Sequence, residues 1–266
     1  MLIDTHVHIF PDNIAHSALE KLSDSARIVP STDGTFFGTL KNMDEWGVSE
    51  FWLQSVATNA KQLQKVNDFA ASLASEKVLA FGSLFPRAVE LSLSELARLK
   101  EMGIKGVKFH PEYQQFDAAD ESYFPLYEFM EKNNMAALFH AGKDSAYPES
   151  ENAHPAKLKI VHDTFPKLKM ILAHLGGWCR WDEVIELLVN TDIYFDTAAV
   201  AGYISERQLK EIFRLHDIER FLFATDAPWS TPEHELDLIK TIGLNGADME
   251  RICYKNAQQL RAQIGA

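Results

Sequence analysis

The sequence predicts an α/β fold, a (β/α)8 TIM barrel, and three observations predict it. Short apolar runs recur along the chain, helical patterns separate them, and the runs number eight, the count that closes a parallel sheet into a barrel. The runs are residues 2–7, 51–57, 78–84, 106–110, 135–140, 168–174, 192–197 and 220–226. Most are nearly continuous in apolar, β-branched or aromatic residues, the composition of strands covered on both faces.

Between the runs the pattern turns helical. Trp181, Val184, Ile185 and Leu188 repeat at i, i+3, i+4 and i+7, one buried helix face. Ser205 with Gln208 forms a capping box ahead of Leu209, Ile212 and Phe213. Thr231-Pro232 reads as N-cap and first helical residue. Leu93, Leu96, Leu99 and Met102 continue a helix that Gly103 ends. Residues 247–264 read as a last helix, expected on the outer wall.

The gap between the first two runs is longer than the others and holds an insertion at 9–36, with a short helix expected near 13–22. It leaves the C-terminal end of the first strand, so it is expected over the barrel mouth as a lid or recognition segment; a structural excursion is the alternative. With no linker, low-complexity tract or repeat beyond the βα alternation, residues 1–266 read as one domain.

Composition narrows the function. The net charge of −12 disfavours phosphate backbones, so no nucleic-acid partner is expected. Two cysteines, Cys179 and Cys253, make no disulfide framework and fit a reducing cytoplasm. The N-terminus has no signal-peptide pattern and no apolar stretch approaches membrane-spanning length, so no membrane partner is expected. The oligomeric state is open, with a homodimer as one option.

Of ten histidines, His6, His8, His110, His140 and His174 fall at or just past the predicted C-terminal end of a strand, and Asp226 ends the eighth. In a barrel those ends converge on one opening. On a strand, His6 and His8 share one face and can grip one cation. His140 closes an apolar run, with Gly142 leaving room beside it. Asp226 is costly to bury unless it meets a cation or donors, and it is placed to accept a proton. Three nitrogens, one oxygen and an open position suit Zn²⁺ best, with Mn²⁺ or Fe²⁺ also compatible. His174 reads as a base beside the metal or as a further ligand. Asp4 either orients a ligand histidine or satisfies buried backbone donors.

Lys108 and His110 form a second same-face pair. A lysine facing a barrel interior needs an anion, so Lys108 reads as a carboxylate binder or, alternatively, as a carbamylated bridge between two metals. Arg180 is a second anion-binding candidate, with a solvated loop arginine as its alternative. Tyr113, Trp178 and Trp229 follow strand ends and either line the pocket or pack. Cys179 lies near these segments, with no partner arrangement that marks a nucleophile.

The segments Ile3-Asp-Thr-His-Val-His, Gly106-Val-Lys-Phe-His-Pro, Leu138-Phe-His-Ala-Gly, Leu172-Ala-His-Leu-Gly-Gly and Phe223-Ala-Thr-Asp-Ala-Pro-Trp, with Asn256-Ala, run in order through nearly the whole chain. Together they resemble the amidohydrolase superfamily, and within it the amidohydrolase 2 branch, which holds aminocarboxymuconate-semialdehyde decarboxylase and related decarboxylases, hydratases and lactone hydrolases. The resemblance implies one divalent metal held by His6, His8, His140 and Asp226, with His174 assisting chemistry. It does not choose the reaction.

The residues lead first to hydrolysis by metal-activated water of a small carboxylate-bearing lactone, ester or amide. In that reading Asp226 moves the proton and His174 stabilises charge. Lys108, His110, Arg180, Tyr113 and Trp229 hold the substrate. The alternative is non-oxidative decarboxylation of an aromatic or muconate-like acid. A TatD-like metallonuclease and a metal-free binding barrel rank below both.

Overall fold

The computed structural model describes residues 1–26 and 28–266, so one position of the 9–36 insertion lies outside the described residues. Eight parallel strands follow one another in chain order: β1 (Ile3–Val7), β2 (Glu50–Gln54), β3 (Val78–Ser83), β4 (Gly106–Phe109), β5 (Ala136–Phe139), β6 (Lys169–Leu172), β7 (Tyr194–Asp196) and β8 (Phe221–Leu222). Hydrogen bonds from Thr5 N to Phe223 O (2.9 Å), Asp226 N to His6 O (2.9 Å) and His8 N to Ala227 O (2.7 Å) join the last strand to the first. The expected (β/α)8 barrel is therefore what the chain forms.

The strands are shorter than the apolar runs because backbone groups near the mouth take other partners. Beyond Leu222, Phe223 N donates to Ile252 O (3.0 Å), Ala224 N to Thr197 Oγ1 (2.9 Å) and Thr225 N to Asp4 Oδ1 (3.0 Å). Past β2, Ala57 N donates to Ser83 Oγ (2.8 Å). These buried donors are thus met off the ladder, as burial requires.

Strand alternation splits the core in two. Val107, Phe109, Ala137, Phe139, Phe195 and Phe221 face the surrounding helices. Trp52, Phe81, Leu138, Ile171, Tyr194 and Leu222 fill the lower barrel. Gly106 makes that filling fit: a Cβ there would lie 2.3 Å from the Phe81 ring, which stacks on Trp52 at 5.5 Å.

The C-terminal segment corrects part of an expectation: Met249, Ile252 and Cys253 pack with the helix-facing cluster, but the last helix does not. Helix Asn256–Ile264 does not lie on the outer wall; Ala257, Leu260 and Ile264 join the interior cluster and close the bottom of the barrel. Its polar groups meet the lower rim, with Arg261 on Glu50 (2.8 Å) and Gln263 O accepting from Asn134. Burying Leu260 and Ile264 stabilises by roughly 1.5–3 kcal/mol each, an incentive the outer wall shares but the open barrel end needs more.

The insertion forms one helix longer than expected, α1 (Asp12–Ala26), followed by α2 (Phe36–Glu45). Helix α1 turns Ala15 and Leu19 into the core, and Asn13, Ile14, Ala18 and Leu22 line the cavity at the mouth. Helix α3 (Leu63–Leu73) faces that cavity with Gln62, which precedes it, and with Lys65, Val66 and Phe69. No described helix is long and apolar enough to cross a membrane.

Candidate metal centre

The strand ends surround a cavity of about 600 Å³ lined by His6, His8, Lys108, His110, Tyr113, His140, His174, Asp226, Trp178 and Trp229, among others. Two backbone kinks aim its side chains. His174 (φ 60°) and Asp226 (φ 63°) both sit in the left-handed region, which costs a non-glycine residue roughly 1–3 kcal/mol and persists only where surroundings enforce it. Here the enforcing bonds are His174 N to Asp196 Oδ1 (2.9 Å) and Asp226 N to His6 O (2.9 Å).

The hydrogen bonds fix which ring nitrogens carry protons. His6 Nδ1 lies 2.9 Å from Asp196 Oδ2, His8 Nδ1 2.8 Å from Gln54 O, His140 Nε2 3.0 Å from Lys143 O and His174 Nδ1 2.8 Å from Ala198 O. Carboxylate and carbonyl oxygens only accept, so each of these nitrogens donates. A neutral ring then keeps one lone pair, and the four lone pairs, on His6 Nε2, His8 Nε2, His140 Nδ1 and His174 Nε2, face inward. Burial favours neutral rings: it pushes His6 and His140 well below the usual histidine range, with Lys108 adding to the effect at His6 and His174 at His140.

Asp226 completes the set. Its Oδ1 is buried without a hydrogen-bond partner, yet lies 3.0 Å from His8 Nε2 and 3.3 Å from His6 Nε2. Burial alone would raise its carboxyl; only positive charge at the His6 and His8 nitrogens, from protons or from a metal ion, outweighs that and holds it well below the usual carboxylate range. Buried lone pairs converging at such distances repel unless a cation stands among them, so the donor set fits a divalent metal. Lys108, fully buried, meets part of the need by donating from Nζ to His6 Nε2 (2.9 Å). Burial lowers its ammonium to about 8, against the pull of Asp226 and Asp196.

The four expected metal ligands do not all meet at one point. His6, His8 and Asp226 place ligand atoms within 4.8 Å of one another, whereas His140 falls in a second group with His110 and Asp144. His140 stacks on His110 at 4.2 Å and touches His174 through Nδ1 and Nε2 at 3.1 Å. Of the substrate-binding candidates, Lys108, His110, Tyr113 and Trp229 line the cavity, as does Trp178. Arg180 does not: its guanidinium pairs with Glu151 and with Glu183 (2.9 Å), so the loop arginine is neutralised at the helix start it precedes. Lys143 and Lys65 are the additional cations on the lining.

Asp4 resolves to its second alternative. Its carboxylate accepts from His6 N (3.1 Å), Thr225 N (3.0 Å) and Thr225 Oγ1 (2.5 Å), tying β1 to β8, and leaves the orienting of His6 to Asp196. A register shift between Asp4 and Val7 accompanies this arrangement. Asp196 was missed by the sequence reading, although it ends the run Ile193-Tyr-Phe-Asp as Asp226 ends the next. Gln54 and Asp144 carried no sequence signal.

A family model described as Amidohydrolase (Amidohydro_2) matches residues 3–260. The chain belongs to the amidohydrolase family. This amidohydrolase is 23% identical over 309 aligned residues to a gamma-resorcylate decarboxylase of Polaromonas sp., covering 91% of the chain and 94% of that protein. Its fold matches an uncharacterised TIM-barrel protein from Bordetella bronchiseptica with a TM-score of 0.83 at 18% identity, over 100% of this chain and 99% of that one. It also matches a 5-carboxyvanillate decarboxylase from Novosphingobium aromaticivorans, complexed with manganese and 4-hydroxy-3-methoxy-5-nitrobenzoic acid. There the TM-score is 0.74 at 13% identity, over 100% of this chain and 96% of that one. The protein is an enzyme of the amidohydrolase family.

Proposed function

We propose that the protein is a divalent-metal-dependent, non-oxidative decarboxylase of a small aromatic carboxylic acid. The observation that carries this reading is a floor of inward-facing imidazole lone pairs, Asp226 and the buried Lys108 under a cavity walled by apolar side chains. Such a site takes an acid by its carboxylate and leaves its ring in an apolar slot. The likeness to the gamma-resorcylate decarboxylase, which spans nearly the whole chain, supports decarboxylation over the hydrolysis that the motifs first suggest.

His6, His8 and Asp226 would hold the metal; His140 stands in the neighbouring group with His110 and Asp144 and would have to turn toward them to serve as the fourth ligand. A bound divalent ion supplies Lewis acidity and a template for the substrate's oxygens. Manganese is the first ion to test, since the carboxyvanillate enzyme carries it; zinc fits the donor set as well. If His6 held the ion, Lys108 Nζ, which now meets His6 Nε2, would be free to pair with the substrate carboxylate. Tyr113, His110 and Trp229 flank the ring. Decarboxylation breaks the bond between ring carbon and carboxyl carbon and releases carbon dioxide. The bonding electron pair stays on the ring carbon, which then takes a proton. Asp226 and His174 are the groups at the cavity face able to hold that proton.

The test is carbon dioxide release from 2,6-dihydroxybenzoate and related carboxylated phenols by enzyme loaded with Mn²⁺. Release is expected, and Asp226→Asn should lower kcat by about 10²–10⁴-fold while the protein stays folded. Turnover of lactones or amides with no carbon dioxide from any acid would return the site to hydrolysis.

A further inference from the structure

We infer that the substrate carries an apolar extension of several carbons or a second ring, seated between helices α1 and α3. The inference rests on the proposed acid-binding floor and deepens it. An engineered cavity of roughly 150 Å³ holds benzene. The cavity here is about 600 Å³, so a single-ring acid leaves most of it unfilled.

The unfilled part is largely apolar, with Asn13, Gln62 and Lys65 as its polar members on these two walls. On α1, Ile14, Ala18 and Leu22 recur at i, i+4 and i+8 along the cavity, beside the buried Ala15 and Leu19. Across from them, Val66 and Phe69 stand one helical turn apart on α3, whose own core face is Leu63, Asn67 and Ala70. Ala15 and Leu19 join Ile14, Ala18 and Leu22 in one wide apolar face of α1, of which the protein itself buries only the Ala15 and Leu19 side and leaves the rest to the cavity. Ile14 stays 46% exposed, apolar surface that a ligand would take from water. This slot runs on from the floor that holds Lys108 and the imidazoles, so one molecule can engage both with its carboxylate below and its tail above.

The probes are 2,6-dihydroxybenzoate and its 4-hexyl homologue, with affinity to the Mn²⁺-loaded enzyme measured by calorimetry and carbon dioxide release measured on the same pair. Each fully buried methylene strengthens binding by up to about fourfold, so burial of even two of the six carbons should make the hexyl compound bind about tenfold tighter or more. The ratio should collapse toward one in Ile14→Gln, an exposed position that tolerates a polar helix former, and in Val66→Gln on the opposite wall. Equal affinities, or a preference that survives both substitutions, overturn the extension. A tenfold preference without carbon dioxide keeps the extension and overturns decarboxylation; carbon dioxide without the preference does the reverse.

Discussion

Asp196 divides its two carboxylate oxygens between the backbone and His6: Oδ1 accepts from His174 N and Ala198 N (2.9 and 3.0 Å), and Oδ2 accepts from His6 Nδ1 (2.9 Å). In Asp196→Asn the carbonyl oxygen keeps the backbone bonds and the amide group turns a donor toward His6. That drives the proton to His6 Nε2 and removes the lone pair that faces the metal position. Metal affinity should fall roughly 10–100-fold, read by titration against a competing chelator; unchanged affinity would sever Asp196 from the centre. Glu235 acts on stability instead. It accepts from Ser230 Oγ, Val200 N and Ala201 N, joining the loops after β7 and β8, and burial lifts its carboxyl from 4.5 to about 8. The folded state therefore holds the proton more tightly than the unfolded one. Its contribution is full below about pH 4.5 and is lost as pH rises to about 8. Glu235→Gln should gain in melting temperature on the metal-free parent as pH goes from 5 to 8, and a constant difference would show the carboxyl ionised throughout. Neither residue stood out in the sequence. Charge at a strand end is legible there, but a carboxylate bonded to backbone amides looks the same as one on the surface until the loops are placed. Arg180 is the converse case, legible as a cation while its partners Glu151 and Glu183 were not.

At the scale of elements, periodicity revealed all eight strands and the caps at Ser205 and Thr231. It reads which side chains share a face, not what lies against that face. Helix Asn256–Ile264 is apolar on one side whether it packs on a wall or fills a barrel end, and only the size of the opening decides. The β5 and β6 loops show a second limit. Gly142 (φ +87°) bridges to Trp178, and a Cβ there would lie 2.3 Å from Trp178 N and 2.4 Å from its O. Gly47 has a similar φ of +74° with nothing within 4 Å. Gly47→Ala should therefore cost only the backbone term, roughly 1–2 kcal/mol. Gly142→Ala should cost clearly more, because the obstructing atoms are main chain. Urea midpoints of the two variants check this, and equal losses would show that the loops yield freely.

Over the whole molecule, the proposed metal position straddles the join between the first and last strands. His6 lies on β1 and His8 just past it, Asp226 follows β8, and Asp4 with Thr225 holds the same seam across 221 residues of sequence. A cation at 100 times its dissociation constant should therefore stabilise the native protein by about 2.7 kcal/mol. Mn²⁺ should raise the unfolding midpoint by a matching amount, and EDTA should reverse it. No rise would mean that the ligands do not act as a set.

That seam also sets an order of events. Bringing such distant segments together carries its entropy cost before any ligand pair exists, so a half-made ring offers the ion nothing to grip. Mn²⁺ added during refolding should leave the forward rate unchanged and retard escape from the native state, the signature of contacts made after the barrier. A forward limb hastened by the ion would instead reveal an early cation-holding fragment.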